Sequence, residues 1–290
     1  FGKKWYSLFT PIPMNNRKEL MISKETKYFK EGAWWTSPYN FVDEVPSLLD
    51  RNIEIHDATL RDGEQTPGVV FSAEDKLKIA EKLIEVGVTR IEAGMPAVSE
   101  MDFKAIYNIS KKFPEAKIYA FARAMRKDID MAVDSGAKGV VIEIPIGYPK
   151  LKYQFDWTWE KVLEKSIDCI NYARECGLKT TYFPYDTTRS REEDFDNLIK
   201  GIMRNSPPDS FGVVDTMGCA SPVAIQYLVR KVKKLTNGLS VEVHTHNDFG
   251  MAVATELAGI MAGADVVHSC VNGMGERTGN AALEDLVMNL

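Results

Sequence analysis

From Arg51 onward the chain keeps one rhythm: a short apolar run rich in β-branched residues, a polar or glycine break, then an amphipathic stretch of helical length. The apolar runs cover 53–56, 89–92, 117–121, 139–144, 179–183, 211–215, 240–246 and 264–267, eight in all. Between them, 73–86 places Leu77, Ala80, Leu83 and Ile84 on one helical face with Glu and Lys opposite. The stretches 159–176 and 222–235 behave alike, and Ser221-Pro222 supplies an N-cap followed by proline at the first helical position. Strands with nearly continuous hydrophobicity, separated by helices, belong to a parallel sheet covered by those helices. Eight such units predict a closed (β/α)8 TIM barrel rather than an open doubly wound sheet. That fold takes roughly 250 residues. The 290 present therefore divide into an N-terminal extension, 1–50, and a barrel, 51–290.

The extension is aromatic-rich and aperiodic (Trp5, Tyr6, Phe9, Tyr28, Phe29, Trp34, Trp35, Tyr39, Phe41), with Pro11 and Pro13 interrupting any helix. Its aromatics are expected to anchor it on the main body, since no basic groove accompanies them to make a nucleotide-stacking platform. With 36 basic and 41 acidic residues the net charge is −5, spread along the chain, which argues against a nucleic-acid partner. The most apolar late stretch, 252–267, is broken by Glu256 and Asp265, so no membrane span is expected. The four cysteines, Cys169, Cys176, Cys219 and Cys270, lack metal-finger spacing and read as reduced thiols of a cytoplasmic protein. The chain opens on Phe and closes on Leu290 without a stop signal, which suggests a piece of a longer polypeptide.

Chemically loaded residues gather at the ends of the apolar runs, where a TIM barrel builds its active site. Asp57 to Gln65 follow the first run, Glu92 closes the second, and Arg123 follows the third. Asp186 and Arg189 follow the fifth, Asp215-Thr216 close the sixth, His244 and His246 the seventh, and Asn272 to Asn280 follow the eighth. In His244-Thr245-His246, positions i and i+2 of a strand share a face, so two imidazoles can aim at one point. With an oxygen ligand such as Asp62 from the first mouth they form a two-histidine, one-carboxylate site; a purely structural histidine pair is the alternative. The glycine-studded 272–280 loop can bring backbone close to a ligand or simply form a turn. Glu92, Arg123, Asp215 and Arg189 can equally be buried ion pairs lining the mouth.

Asp57-Ala-Thr-Leu-Arg61-Asp62-Gly63-Glu64-Gln65, Ile91-Glu92-Ala-Gly94-Met-Pro96, Asp215-Thr216-Met-Gly218, His244-Thr-His246-Asn247-Asp248-Phe-Gly250 and Asn272-Gly-Met-Gly-Glu276-Arg-Thr-Gly-Asn280 are similar to the motifs of the DRE-TIM metallolyase superfamily. In order and context they resemble its acyl-CoA-condensing branch, the isopropylmalate, homocitrate, citramalate and Re-type citrate synthases. The resemblance implies a divalent-metal site (Mn, Zn, Co or Mg) on Asp62, His244, His246 and Asn280. It implies that Arg61 stabilises charge on the reacting oxygen, and that Gln65, Glu92, Arg123 and Thr216 line the pocket for a 2-oxo acid. The implied reaction joins acetyl-CoA to that acid, giving a 2-hydroxy acid and CoA, in a homodimer whose chain continues past the barrel.

The resemblance breaks in two places. Where the branch carries a Ser-x-Glu-Asp-like element after the fifth strand, this chain reads Phe183-Pro184-Tyr185-Asp186, with Tyr185 in place of the glutamate. A phenol of ordinary pKa, roughly 10, is a poor base at neutral pH. After the fourth run, Glu143-Ile-Pro145-Ile-Gly147-Tyr148 replaces the common threonine-serine pair. Glu143, Tyr185 and Asp186 are thus the candidates for the general base. Two other readings stay open: a lyase running the reverse cleavage, and a non-catalytic barrel that binds metabolites.

Overall fold

The computed structural model describes residues 29–30, 34–43, 45 and 52–290. The chain divides into two compact units, Phe1–Asn52 and Ile53–Leu290. In the first, Phe29–Lys30 pairs antiparallel with Trp34–Trp35, and Pro38–Phe41 forms a 3-10 turn. Trp5, Tyr6, Phe9 and Tyr28 lie outside the described residues.

The second unit is a closed barrel of eight parallel strands: β1 (Glu54–Asp57), β2 (Arg90–Glu92), β3 (Lys117–Arg123), β4 (Gly139–Pro145), β5 (Lys179–Tyr185), β6 (Ser210–Asp215), β7 (Ser240–Thr245) and β8 (Val266–Ser269). Strands pair in chain order, and β8 closes on β1 with Val266 opposite Glu54. The helices after them are α1 (Ala73–Glu85), α2 (Glu100–Lys112), α3 (Arg126–Asp134), α4 (Trp159–Glu175), α5 (Glu192–Asn205), α6 (Pro222–Leu235), α7 (Ala252–Met261) and α8 (Leu283–Asn289). All eight expected runs are strands. β3 and β5 run two residues further than their apolar patterns, and β8 starts and ends two later, because ladder pairing with a neighbour rather than hydrophobicity decides where a strand stops.

Local signals account for the helix starts. Ser72 accepts from Asp75 N–H while Asp75 receives from Ser72 N–H, a reciprocal cap on α1. Ser221 accepts from Ala224 N–H at 3.3 Å, with Pro222 at the first position of α6. Strand parity then sorts the side chains. Ile118, Ala120, Val140, Ile142, Val241 and Val243 pack outward with Ile106, Ile129, Ile170 and Val229 from the helices. The alternate positions Tyr119, Phe121, Val141 and Phe183, with Val214, form a smaller cluster inside the barrel. The same parity turns Glu143, Glu242 and His244 toward the axis. Among the described residues, no helix is long and apolar enough to cross a membrane.

Candidate metal and substrate site at the barrel mouth

At the end of β7 the two imidazoles converge: His244 Nε2 and His246 Nε2 lie 3.4 Å apart and face Asp62 Oδ2 at 3.3 and 3.6 Å. Asp62 comes from the loop after β1, where Gly63–Gln65 makes a 3-10 turn. Burial opposes a charge on Asp62, but Arg61 and the two histidines outweigh it and hold the carboxyl well below the usual range. Burial likewise lowers both imidazoles, His246 to about 4, so they are neutral at physiological pH. Two neutral imidazoles and one carboxylate, with ligand atoms within 4.8 Å of one another, suit a divalent cation.

Asn280 stands against His246 through a backbone bridge. Its Nδ2 donates to Met274 O at 3.0 Å, whereas its Oδ1 is buried with no protein partner, an oxygen that a cation can take. The loop before it folds tightly on itself. A Cβ on Gly279 would sit 1.9 Å from Gly273 O, and one on Gly275 would strike the Asn280 amide and approach Asp62 Oδ1 at 3.2 Å. The glycines thus let this loop close against Asn280 and Asp62, and Glu276 N–H donates to Asp62 Oδ1 at 3.1 Å. Thr66 joins in, accepting from Gly275 N–H at 2.8 Å. Sequence reasoning missed Thr66, whose role exists only across the gap between two loops.

Beside this cluster, Arg61 is locked on three sides. Its Nε donates to Glu92 Oε1 at 2.5 Å, its Nη1 to Asp62 Oδ2 at 3.1 Å, and its plane lies 4.2 Å from the Phe121 ring centre. Its Nη2 is buried and has no partner. Glu92 is held near pKa 2: burial works against its charge, and Arg61 and His56 more than compensate. Gln65, exposed, accepts only a long 3.4 Å contact from Arg61. Glu143 faces the axis one strand beyond Arg123. Burial pushes its carboxyl up to about 7, with Glu92 and Asp62 adding to the rise and Arg61 opposing it.

The remaining candidates have other attachments. Tyr185 packs against the inner cluster, and burial followed by Glu143 and Asp186 pushes its phenol above the ordinary value. Asp186 is fully buried and takes both Nε and Nη2 of Arg189 at 2.7 Å. Thr216 accepts from Asp186 N–H at 2.7 Å. Arg123 is half exposed and clamped by Asp128 at 2.7 and 3.0 Å. Asp215 accepts from Thr188 and from Ala220 N–H. Arg123, Asp186 and Asp215 therefore make buried or half-buried structural bonds, while Arg61, Asp62, Glu92, His244, His246 and Asn280 form one connected group whose charges reach Glu143.

The other two histidines of the chain lie deeper. His56 bonds Glu92 at 3.0 Å, His268 bonds Glu242 at 2.9 Å, and the two rings stack 4.2 Å apart. Arg90 completes this layer, donating to Glu242 at 2.6 Å. Each histidine sits alone inside an apolar strand, so only barrel closure reveals the layer.

Fold and site together define a (β/α)8 barrel with a two-histidine, one-carboxylate centre at its mouth. The chain belongs to the HMGL-like family, whose model matches residues 52–290. It is 40% identical over 262 residues to "Homocitrate synthase AksA" of Methanocaldococcus jannaschii, covering 90% of this chain and 63% of that protein. It is 40% identical over 245 residues to the 2-isopropylmalate synthase of Sulfolobus acidocaldarius (84% and 63%). With the putative (R)-citramalate synthase CimA of Archaeoglobus fulgidus it shares 42% over 241 residues (82% and 48%). The chain thus spans less than two thirds of the length of these curated relatives. Among solved structures, the hydroxymethylglutaryl-CoA lyase of Pseudomonas aeruginosa superposes with a TM-score of 0.71 at 19% identity, covering 83% of this chain and 86% of that one, a likeness of fold.

Proposed function

We propose that this barrel performs a divalent-metal-dependent condensation of acetyl-CoA with a 2-oxo acid, releasing a 2-hydroxy acid and CoA. The observation that carries the reading is the Arg61 guanidinium: fixed by Glu92, Asp62 and Phe121, it keeps one buried Nη2 donor unused beside the metal-type cluster. A donor preorganised in that way stabilises charge that appears only during reaction. The names of the synthase relatives, at about 40% identity, support the same chemistry.

Asp62, His244, His246 and the Asn280 oxygen would hold the cation, which when bound supplies Lewis-acid polarisation of a carbonyl. Glu143, with a carboxyl poised near neutrality, is the base for the acetyl methyl: its oxygen takes the proton, and the carbon keeps the electron pair. That carbon attacks the keto carbon, a carbon–carbon bond forms, and the keto oxygen receives the carbonyl pair. Arg61 Nη2 donates to this oxygen as it gains charge. The proton held by Glu143 passes to that oxygen, giving the hydroxyl and restoring the base, and water then cleaves the thioester, giving the carboxylate, the CoA thiol and a proton. Tyr185 and Asp186 lose ground as bases because the phenol is pushed up and the carboxylate is held by Arg189. Gln65, Thr216 and Arg123 remain the pocket residues of this reading, Arg123 after release from Asp128. An extension over 1–50, a region following the barrel, a homodimer and a cytoplasmic setting belong to the same proposal.

The test is a panel of oxaloacetate, 2-oxoglutarate, pyruvate and 2-oxoisovalerate with acetyl-CoA, following free thiol. Thiol release with one of them, on protein shown to carry stoichiometric metal, is expected. No release with any would overturn the condensation, and cleavage of a hydroxyacyl-CoA by the same sample would replace it with the lyase reading.

A further inference from the structure

The segment between β4 and α4 carries a group of cations and tyrosines outside the reaction chemistry described above. After Gly147 it makes one helical turn, Tyr148–Lys150, and one wider turn, Leu151–Phe155, ended by Asp156 in the left-handed region at φ 52. The Arg191 guanidinium lies 3.9 Å from the centre of the Tyr148 ring. Lys152 Nζ lies 5.5 Å from the same ring and 5.1 Å from Tyr153, and the two tyrosines meet edge to face at 6.4 Å. Lys150 Nζ sits 6.0 Å from the Tyr185 ring, which joins this group to the inner cluster at the mouth. Tyr153 is 75% exposed.

Nearby ion pairs use Lys161, Arg189 and Lys231; among the described residues, none takes Lys150, Lys152 or Arg191. The adjacent acid Glu192 is turned to Lys231 and Tyr227. Three cations without carboxylate partners thus gather around the rings of Tyr148 and Tyr185. Cations interleaved with an exposed aromatic ring suit a ligand that offers phosphates and a flat base together.

We propose that Tyr153, Lys150, Lys152 and Arg191 form the subsite for the phosphorylated adenosine end of the acyl-CoA, with its thioester end reaching past Tyr185 to the metal-type cluster. This rests on the condensation reading for the identity of the ligand. An adenine nucleotide such as ADP shares the base and diphosphate but lacks the 3′-phosphate, so the two sources can be told apart.

The test is calorimetric binding of adenosine 3′,5′-bisphosphate and of ADP to the wild-type protein and to the exposed-residue double variant Lys152→Ala/Arg191→Ala, checked for unchanged circular dichroism. Wild-type protein should bind the bisphosphate more tightly than ADP, and the double variant should bind it at least tenfold more weakly. Absence of binding, equal binding by the variant, or a preference for ADP would each overturn the subsite. Because this arm needs no turnover, it is decided even if the condensation reading fails. Where turnover is seen, the ratio of kcat/KM for acetyl-CoA to that for S-acetylpantetheine should fall about tenfold in the variant; an unchanged ratio would count against the proposal.

Discussion

At the scale of single residues, the proposed condensation assigns metal binding and proton transfer to different side chains. His244 and Asp62 face each other at 3.3 Å, while Glu143 lies on another strand and is set apart by a carboxyl raised to about 7. Glu143→Gln should therefore keep stoichiometric metal by elemental analysis and lose roughly a hundred- to ten-thousand-fold in kcat/KM, whereas His244→Ala should lose the metal itself. A Gln variant of near wild-type rate would remove Glu143 from the reaction. A carboxylate base works only when deprotonated, so the rate should rise with pH up to about 7 and then level off. A bound cation would draw that limb lower. The pair at His244 and His246 was legible from two-residue spacing, and Asp62 from its place after the first strand. Glu143 was legible only as one of three base candidates, because what sets it apart, burial first and then the charges of Arg61, Glu92 and Asp62 from other parts of the chain, is a tertiary property.

At the scale of elements, the loops after β6 and β8 hold the site through backbone approaches that admit no side chain. Gly218 adopts φ +54, and a Cβ there would lie 2.6 Å from both His246 O and Asp248 N. Backbone cannot yield as a side-chain tip can, so Gly218→Ala should destabilise the barrel by about 2–4 kcal/mol and weaken metal binding together. Gly177 provides the control: its φ is +82 but nothing lies within 4 Å, so alanine should cost only the left-handed strain, about 1–2 kcal/mol, with metal affinity kept. Thermal melts paired with metal titration check both, and equal metal affinity in the two variants would show that the contact to His246 is unimportant. Helix starts were readable because their caps are local, as at Ser72 and Ser221. Strand ends were less so, since pairing with a neighbour carries Ala122, Arg123, Pro184 and Tyr185 into the sheet beyond the apolar pattern.

At the scale of the whole molecule, the barrel interior buries titratable groups of both kinds, and their pH effects oppose each other. His246 and His268, lowered by burial to about 4, withdraw stability as pH falls from about 6.5 toward 4, and His56 and His244, also lowered by burial, act in the same sense. Asp57 and Glu143, both raised to about 7, return stability as pH falls over much the same range, because protonation ends the cost of a buried charge, and Glu256, raised by burial, acts in the same sense. Glu92, depressed to about 2, contributes stability above about 4.5 that is lost as pH falls toward 2, and Glu242 and Asp62, held well below the usual carboxylate range, act in the same sense. Metal-stripped protein should accordingly show a thermal midpoint that is nearly flat between pH 7 and 5 and falls steeply below 4.5. A steady decline from pH 7 would mean that the histidines dominate. The sequence by itself determined the eight-unit barrel, the order of the mouths and the metal-type triad, because hydrophobic period and strand parity are properties of contiguous residues. Only the tertiary structure decided that His56 and His268 stack in one buried layer, that Arg61 retains a free donor, and that Asp186 is committed to Arg189. Those facts depend on which strands close on one another and on how much water is excluded between them, and neither is written in any single stretch of chain.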